Sequence, residues 1–180
     1  MTPEQIIISL IRIAGSLPVL RWAYFGALFA IAVDFSDLFW MSVLDLGGVP
    51  SYQNFDKWLD LVYMLAFLYV SVGWNGNDKI ISVILFMVRI TGLLVFEVTH
   101  LRIVLLYFPN IFEFWFLFVA GRKHYYPEYV MNLKTTMIAL VVCSVLKFIQ
   151  EFVLHAWKFL DNYTFFEAIE IAYLFFAFWE

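Results

Sequence analysis

The chain has 180 residues, 64% of them hydrophobic, 21% aromatic and 14% charged, with a formal net charge of −4. A soluble domain carries about 25% charged residues, so this chain could not cover its surface with polar atoms in water, and lipid is the solvent that fits. The 11 Lys and Arg residues are scattered, which excludes the basic stripe that nucleic acid requires, and the single cysteine, Cys143, excludes an internal disulfide or a CxxC redox pair.

Thr2-Pro3-Glu4 reads as a helix start, with Thr as N-cap, Pro in the first turn and an acid near the positive end of the dipole. Gln5, Ser9, Arg12 and Ser16 follow at helical spacing on one stripe, and the other face is Ile and Leu. Residues 1–16 therefore read as an amphipathic helix lying in the membrane interface and ending before Pro18. No Lys or Arg precedes Arg12, so a cleavable signal peptide is not expected.

A membrane span needs about 20 predominantly apolar residues, and residues 19–180 divide on that scale into an all-α, polytopic bundle of five or six spans. The first runs from about Val19 to Met41 and is bounded by Gly47-Gly48-Val49-Pro50. The second runs from Trp58 to Trp74 and stops at the turn signal Asn75-Gly76-Asn77-Asp78. A third covers Ile80–His100. A break over Leu101–Asn110, which includes Pro109, separates it from a fourth at about Val104–Ala120. The basic segment Gly121-Arg122-Lys123-His124 reads as a loop, and a long fifth helix covers Tyr129–Leu160. The last apolar segment, Phe165–Trp179, is short and holds Glu167 and Glu170, which leaves five or six spans open.

With six spans and a cytoplasmic N-terminus, the inner flanks carry Arg12, Arg21, Lys79, Arg122, Lys123 and Lys134, and the outer flanks Lys57, Arg102 and Lys158. The excess of basic residues favours that orientation.

Ionisable groups in hydrocarbon cost about 2.5–3.5 kcal/mol each on insertion scales, so they need partners or water. Asp34, Asp37 and Asp45 fall within an arc of about 80° on the first span, continued by Ala23, Ala27 and Ala30, so this stripe should face the bundle. Lys57, beside Asp60 at the start of the second span, is the expected counter-ion for Asp37 or Asp45. An ion-paired hairpin and a cation site made by the aspartates are the two readings of this group.

On the third helix Arg89 lies near mid-membrane, and Glu97 and His100 share its side. Glu97-x-x-His100 has the ligand step of di-iron bundles, but those need a second such pair and more glutamates, so no metal site is assigned. Glu113 sits among aromatics on the fourth helix and should turn inward, towards Arg89 or Lys147. The fifth helix carries a polar face with Thr136, Cys143, Ser144, Lys147, Gln150, Glu151, His155 and Lys158, along which Lys147–Glu151 and Glu151–His155 are i, i+4 neighbours.

The candidate polar pathway or ligand site is thus Asp34, Asp37, Arg89, Glu97, His100, Glu113, Lys147, Glu151 and His155. In one reading it is a network that holds helix register; in the other it relays protons or coordinates a passing ion, with His155 able to titrate near neutral pH. No GxSxG, HExxH, P-loop or GxGxxG is present, so an enzyme is the weakest expectation. The expected function is binding or conducting a small ion, proton or lipid. The alternative is an accessory subunit whose outer aromatics meet partner helices, a quinone or a pigment. The expected partners are the lipid bilayer and, by helix packing, a second copy or a membrane complex; the sequence names no cofactor.

Overall fold

The computed structural model describes residues 2–44, 46, 49–50, 52–101, 104 and 107–151. Among them there is no strand. The helices are α1 Pro3–Ser16, α2 Ala23–Phe35, α3 Asp37–Leu44, α4 Tyr52–Val72, α5 Gly76–Thr99, α6 Ile111–Tyr125 and α7 Leu133–Glu151, with a 3₁₀ turn at Leu17–Leu20 between the first two. Residue 45 and residues 152–180, which hold His155, Lys158 and the expected sixth segment, lie outside the described residues.

Four stretches are long and apolar enough to cross a membrane: Pro3–Leu20, Ala23–Met41, Gly76–Thr99 and Leu133–Glu151. Helix α4 has the length, 21 residues, but opens with Asp56, Lys57 and Asp60. The lipid-like exterior agrees: Leu10, Leu17, Phe29, Ile84, Met87, Val141 and Ile149 all point outward and are exposed. Arg12, Asp37, Asp60, Arg89, Glu113, Lys147 and Glu151 turn the other way and are buried, as the cost of ionised groups in hydrocarbon requires. These features are compatible with a multi-pass membrane protein.

Helix α1 begins as expected. Thr2 accepts from the Gln5 amide at 3.2 Å while the Gln5 side chain accepts from the Thr2 amide at 2.9 Å, a complete capping box. Its polar stripe faces inward: Arg12 and Ser16 are buried against the bundle, and Ile6, Leu10 and Ile13 face out. The physical reason is Arg12, whose charge finds carboxylates on three neighbouring helices.

Helices α1 and α2 form an antiparallel hairpin. Gly15 lies against Val33, Gly26 against Pro18 and Val19, and Glu4 reaches the Leu46 amide at 3.3 Å. The Ser36 amide closes the last turn of α2 on Ala32 and Val33, and α3 then starts at Asp37. Helix α4 runs back along α1, and α5 returns beside α4 after the turn at Gly76, whose φ of +60° only glycine adopts readily. His100 ends α5 with φ +53°.

Helix α6 departs from the expected fourth span. It begins at Ile111, level with the middle of α5, and continues through Arg122-Lys123-His124, the segment expected to be a loop. Basic side chains are favourable at a helix C-terminus, and Arg122 and Lys123 both pair with Asp78 at the start of α5, which extends the helix. Helix α7 then packs on α6.

Between α4, α5 and α6 lies a layer of aromatic rings. Phe67 stacks on Phe116 at 4.1 Å, Trp74 on Phe116 at 5.1 Å, and Phe86 and Phe112 meet edge to face at 5.7 Å. Trp115 is fully buried, and its indole N–H donates to Ser82 at 3.0 Å.

The α1–α2 hairpin depends on backbone approach at Gly26, where an added Cβ would lie 2.6 Å from the Pro18 carbonyl oxygen. Gly26→Ala should therefore lower stability by about 1–3 kcal/mol, the range for overpacking, read as a lower unfolding midpoint of the protein in detergent. An unchanged midpoint would contradict this packing.

Candidate functional site: a buried charged belt

The site is built around Arg12. Its Nε donates to Asp37 Oδ2 at 3.0 Å, and its Nη2 to the same oxygen at 2.7 Å and to Asp56 Oδ1 at 2.6 Å. Nη1 donates to Asp60 Oδ1 at 3.1 Å and also contacts Asp34. One guanidinium thus ties α1 to α2, α3 and α4. Its five N–H donors in a rigid plane suit this many carboxylates, which a lysine could not hold in the same geometry.

The acid pairs come from helical spacing. Asp34 and Asp37 are three apart across the α2–α3 junction, and Asp56 and Asp60 are four apart on one face of α4. Of the partners expected for Lys57, Asp45 lies outside the described residues and Asp37 is not among the pairs it makes; Lys57 pairs with Asp56 at 2.9 Å and Asp60 at 3.7 Å. Asp37 is already held by Arg12, and Lys57 shares a helix turn with its two partners.

Asp60 links the cluster to Arg89 of α5, 3.6 Å away. Arg89 also donates to the Phe108 carbonyl at 3.3 Å, just before α6. One turn beyond Asp60 on α4, the Tyr63 hydroxyl donates to Glu113 Oε2 at 3.3 Å, and the Asn110 amide donates to both, at 3.2 and 3.1 Å. Glu113 contacts Lys147 of α7 at 3.4 Å, and Lys147 contacts Glu151 at 3.5 Å and Gln150 at 2.8 Å. Of the two partners expected for Glu113, the structure selects Lys147. The groups form a belt across the bundle at one level, from α1 to α7.

A second, smaller group sits at the far end of the bundle, where Asp78 receives Arg122 and Lys123 and Lys123 lies over the Trp74 ring at 5.7 Å. The aromatic layer of Phe67, Phe86, Phe112 and Phe116 separates it from the belt. No described polar chain connects the two.

Of the residues singled out from sequence, Asp34, Asp37, Arg89, Glu113, Lys147 and Glu151 meet in the belt. Glu97 and His100 do not: Glu97 is half-buried one helix turn from the end of α5, and His100 is its exposed cap. His155 lies outside the described residues. Sequence reading missed Arg12 as the centre, and with it Asp56, Tyr63 and Asn110. The signal available was charge balance, because the acids at 34, 37, 45, 56 and 60 face only Lys57 nearby and need a further cation.

Asp34, Asp56 and Asp60 have carboxylate oxygens within 4.8 Å of one another, a spacing that could suit a metal ion. Arg12 contacts all three, so a metal would compete with the guanidinium for the same oxygens. Oδ1 of Asp37 and Oδ1 of Asn110 are buried and make no hydrogen bond. Compared with protein-family models, curated proteins and solved structures, the chain matches none.

Removing one partner from a buried ion pair costs about 3–5 kcal/mol because the other charge is left uncompensated. Arg12→Met should therefore abolish monodisperse, folded protein on size-exclusion chromatography. Adding Asp34→Asn and Asp37→Asn to that variant should restore part of the yield. A folded single Arg12→Met variant would show that the belt does not organise the bundle.

Proposed function

We propose that this is a multi-pass membrane protein that binds a proton, or a small cation in its place, on the buried carboxylate belt. One observation carries the reading: among the described residues, five carboxylates (Asp34, Asp37, Asp56, Asp60 and Glu113) face four cations (Arg12, Lys57, Arg89 and Lys147), so that negative charge is in excess there. In a low-dielectric interior such an excess is costly, and closely spaced carboxylates relieve it by sharing protons or binding a cation. Of the two, a proton fits better, since it adds to an oxygen without displacing Arg12. Asp37 Oδ1, buried and unbonded, is one such oxygen.

Binding is better supported than open conduction. The rings of Phe67, Phe86, Phe112 and Phe116 pack beside the belt, so passage across the bilayer would require the helices to rearrange and expose the belt in turn. An accessory role is the second reading. The outward faces of α5 and α7 are large and apolar, as at Ile84, Met87, Val142 and Phe148, and suit partner helices as well as lipid.

Acidifying unbuffered, purified protein from about pH 8 to about pH 5 should take up at least one proton more than Asp37→Asn or Glu151→Gln protein takes up. Vesicles containing the protein should also show proton- or cation-dependent flux that Glu151→Gln removes. Identical titrations in all three proteins, with no flux, would overturn the proposal. Constant extra subunits in native mass spectra would then favour the accessory reading.

A further inference from the structure

Among the described residues, the two ends of the bundle differ in charge. One end is formed by residues 17–23, 73–79 and 121–134, brought together by the contacts of Asp78 with Arg122, Trp74 with Lys123, and Tyr24 with His124. It carries Arg21, Lys79, Arg122, Lys123 and Lys134 against Asp78 and Glu128. Arg21, Lys79 and Lys134 are exposed, and exposed Trp22, Tyr125, Tyr126 and Tyr129 ring them. The other end, at residues 2–5, 43–44, 46, 49–50, 52–55 and 97–101, carries Glu4 and Glu97, with no Lys or Arg among its described residues. The remaining described cations, Arg12, Lys57, Arg89 and Lys147, are all in the belt.

We propose that the basic, aromatic-ringed end is a docking surface for the anionic phospholipid headgroups of the cytoplasmic leaflet. Charge complementarity carries the assignment: headgroup phosphates attract basic side chains at the membrane surface, and Trp and Tyr rings settle at the same depth. The geometry of α1 adds a consequence. Because α1 pairs antiparallel with α2, its first residues emerge at the acidic end, whereas a helix lying in the interface would leave them beside Arg21. With the basic end in the cytoplasm, Thr2 and Glu4 face the opposite side of the membrane, the reverse of the orientation expected from sequence.

Two measurements test this. In a Cys143→Ala background, single cysteines at Thr2→Cys and Lys79→Cys are treated with a membrane-impermeant maleimide on intact cells. Thr2→Cys should label, and Lys79→Cys should label only after lysis. The purified protein is then exposed to mixed phosphatidylglycerol and phosphatidylcholine and the retained lipid counted by native mass spectrometry. Wild type should prefer phosphatidylglycerol roughly fivefold or more, and Arg21→Gln/Lys79→Gln/Lys134→Gln protein should lose most of that preference. The proposal fails if Thr2→Cys labels only after lysis, if the two lipids are retained equally, or if the triple variant keeps the wild-type preference. Neither measurement involves the belt, so either result leaves the proton-binding reading to its own test.

Discussion

Arg12 is held by Asp34, Asp37, Asp56 and Asp60, and the arrangement of the first four helices follows from that grip. A guanidinium placed in hydrocarbon needs carboxylates, and four carboxylates in hydrocarbon need a cation. Neither set could be inserted stably without the other. The contact draws α1 into the bundle with its polar stripe inward and sets the register of α1 against α2. It also brings the charged start of α4 under cover. Close backbone approach at Gly15 and Gly26 then lets the hairpin close around the pair.

The rest of the belt extends the same logic outward. Asp60 shares its charge between Arg12, Lys57 and Arg89, and Tyr63, one turn on, carries the chain of contacts to Glu113 and Lys147. Each helix from α1 to α7 contributes to one level of the bundle or packs directly beside it. Concentrating the charge in one layer has a cost in excess negative charge and a benefit in specificity, because a shift of any helix by one turn would strand an ionised group. Beside the belt the packing is largely aromatic, with Phe67, Phe86, Phe112, Trp115 and Phe116 buried.

The apolar exterior, the polar faces and the rough helix order were legible in the sequence because hydropathy and helical spacing are local properties. Asp34 with Asp37, Lys147 with Glu151, and the inward turn of Glu113 could be read from spacing alone. Glu97 and His100 had the right spacing for a shared site yet stand apart, since a motif on one helix says nothing about where that helix ends. His100 closes α5 in a left-handed conformation and is turned to solvent.

What the sequence determined by itself is the class of helix: too few charges for a surface in water, too many for an inert span, and therefore helices long and apolar enough to cross a membrane with ionised groups turned inward. Only the tertiary structure decided which charges meet. Arg12 lies 22 residues from Asp34 and 48 from Asp60, and nothing in its own neighbourhood distinguishes an interfacial arginine from a buried one. Ion pairing across helices depends on which faces are brought together. That choice is made by the close glycine contacts, the turn at Gly76 and the late start of α6, all of which are consequences of packing rather than of local propensity.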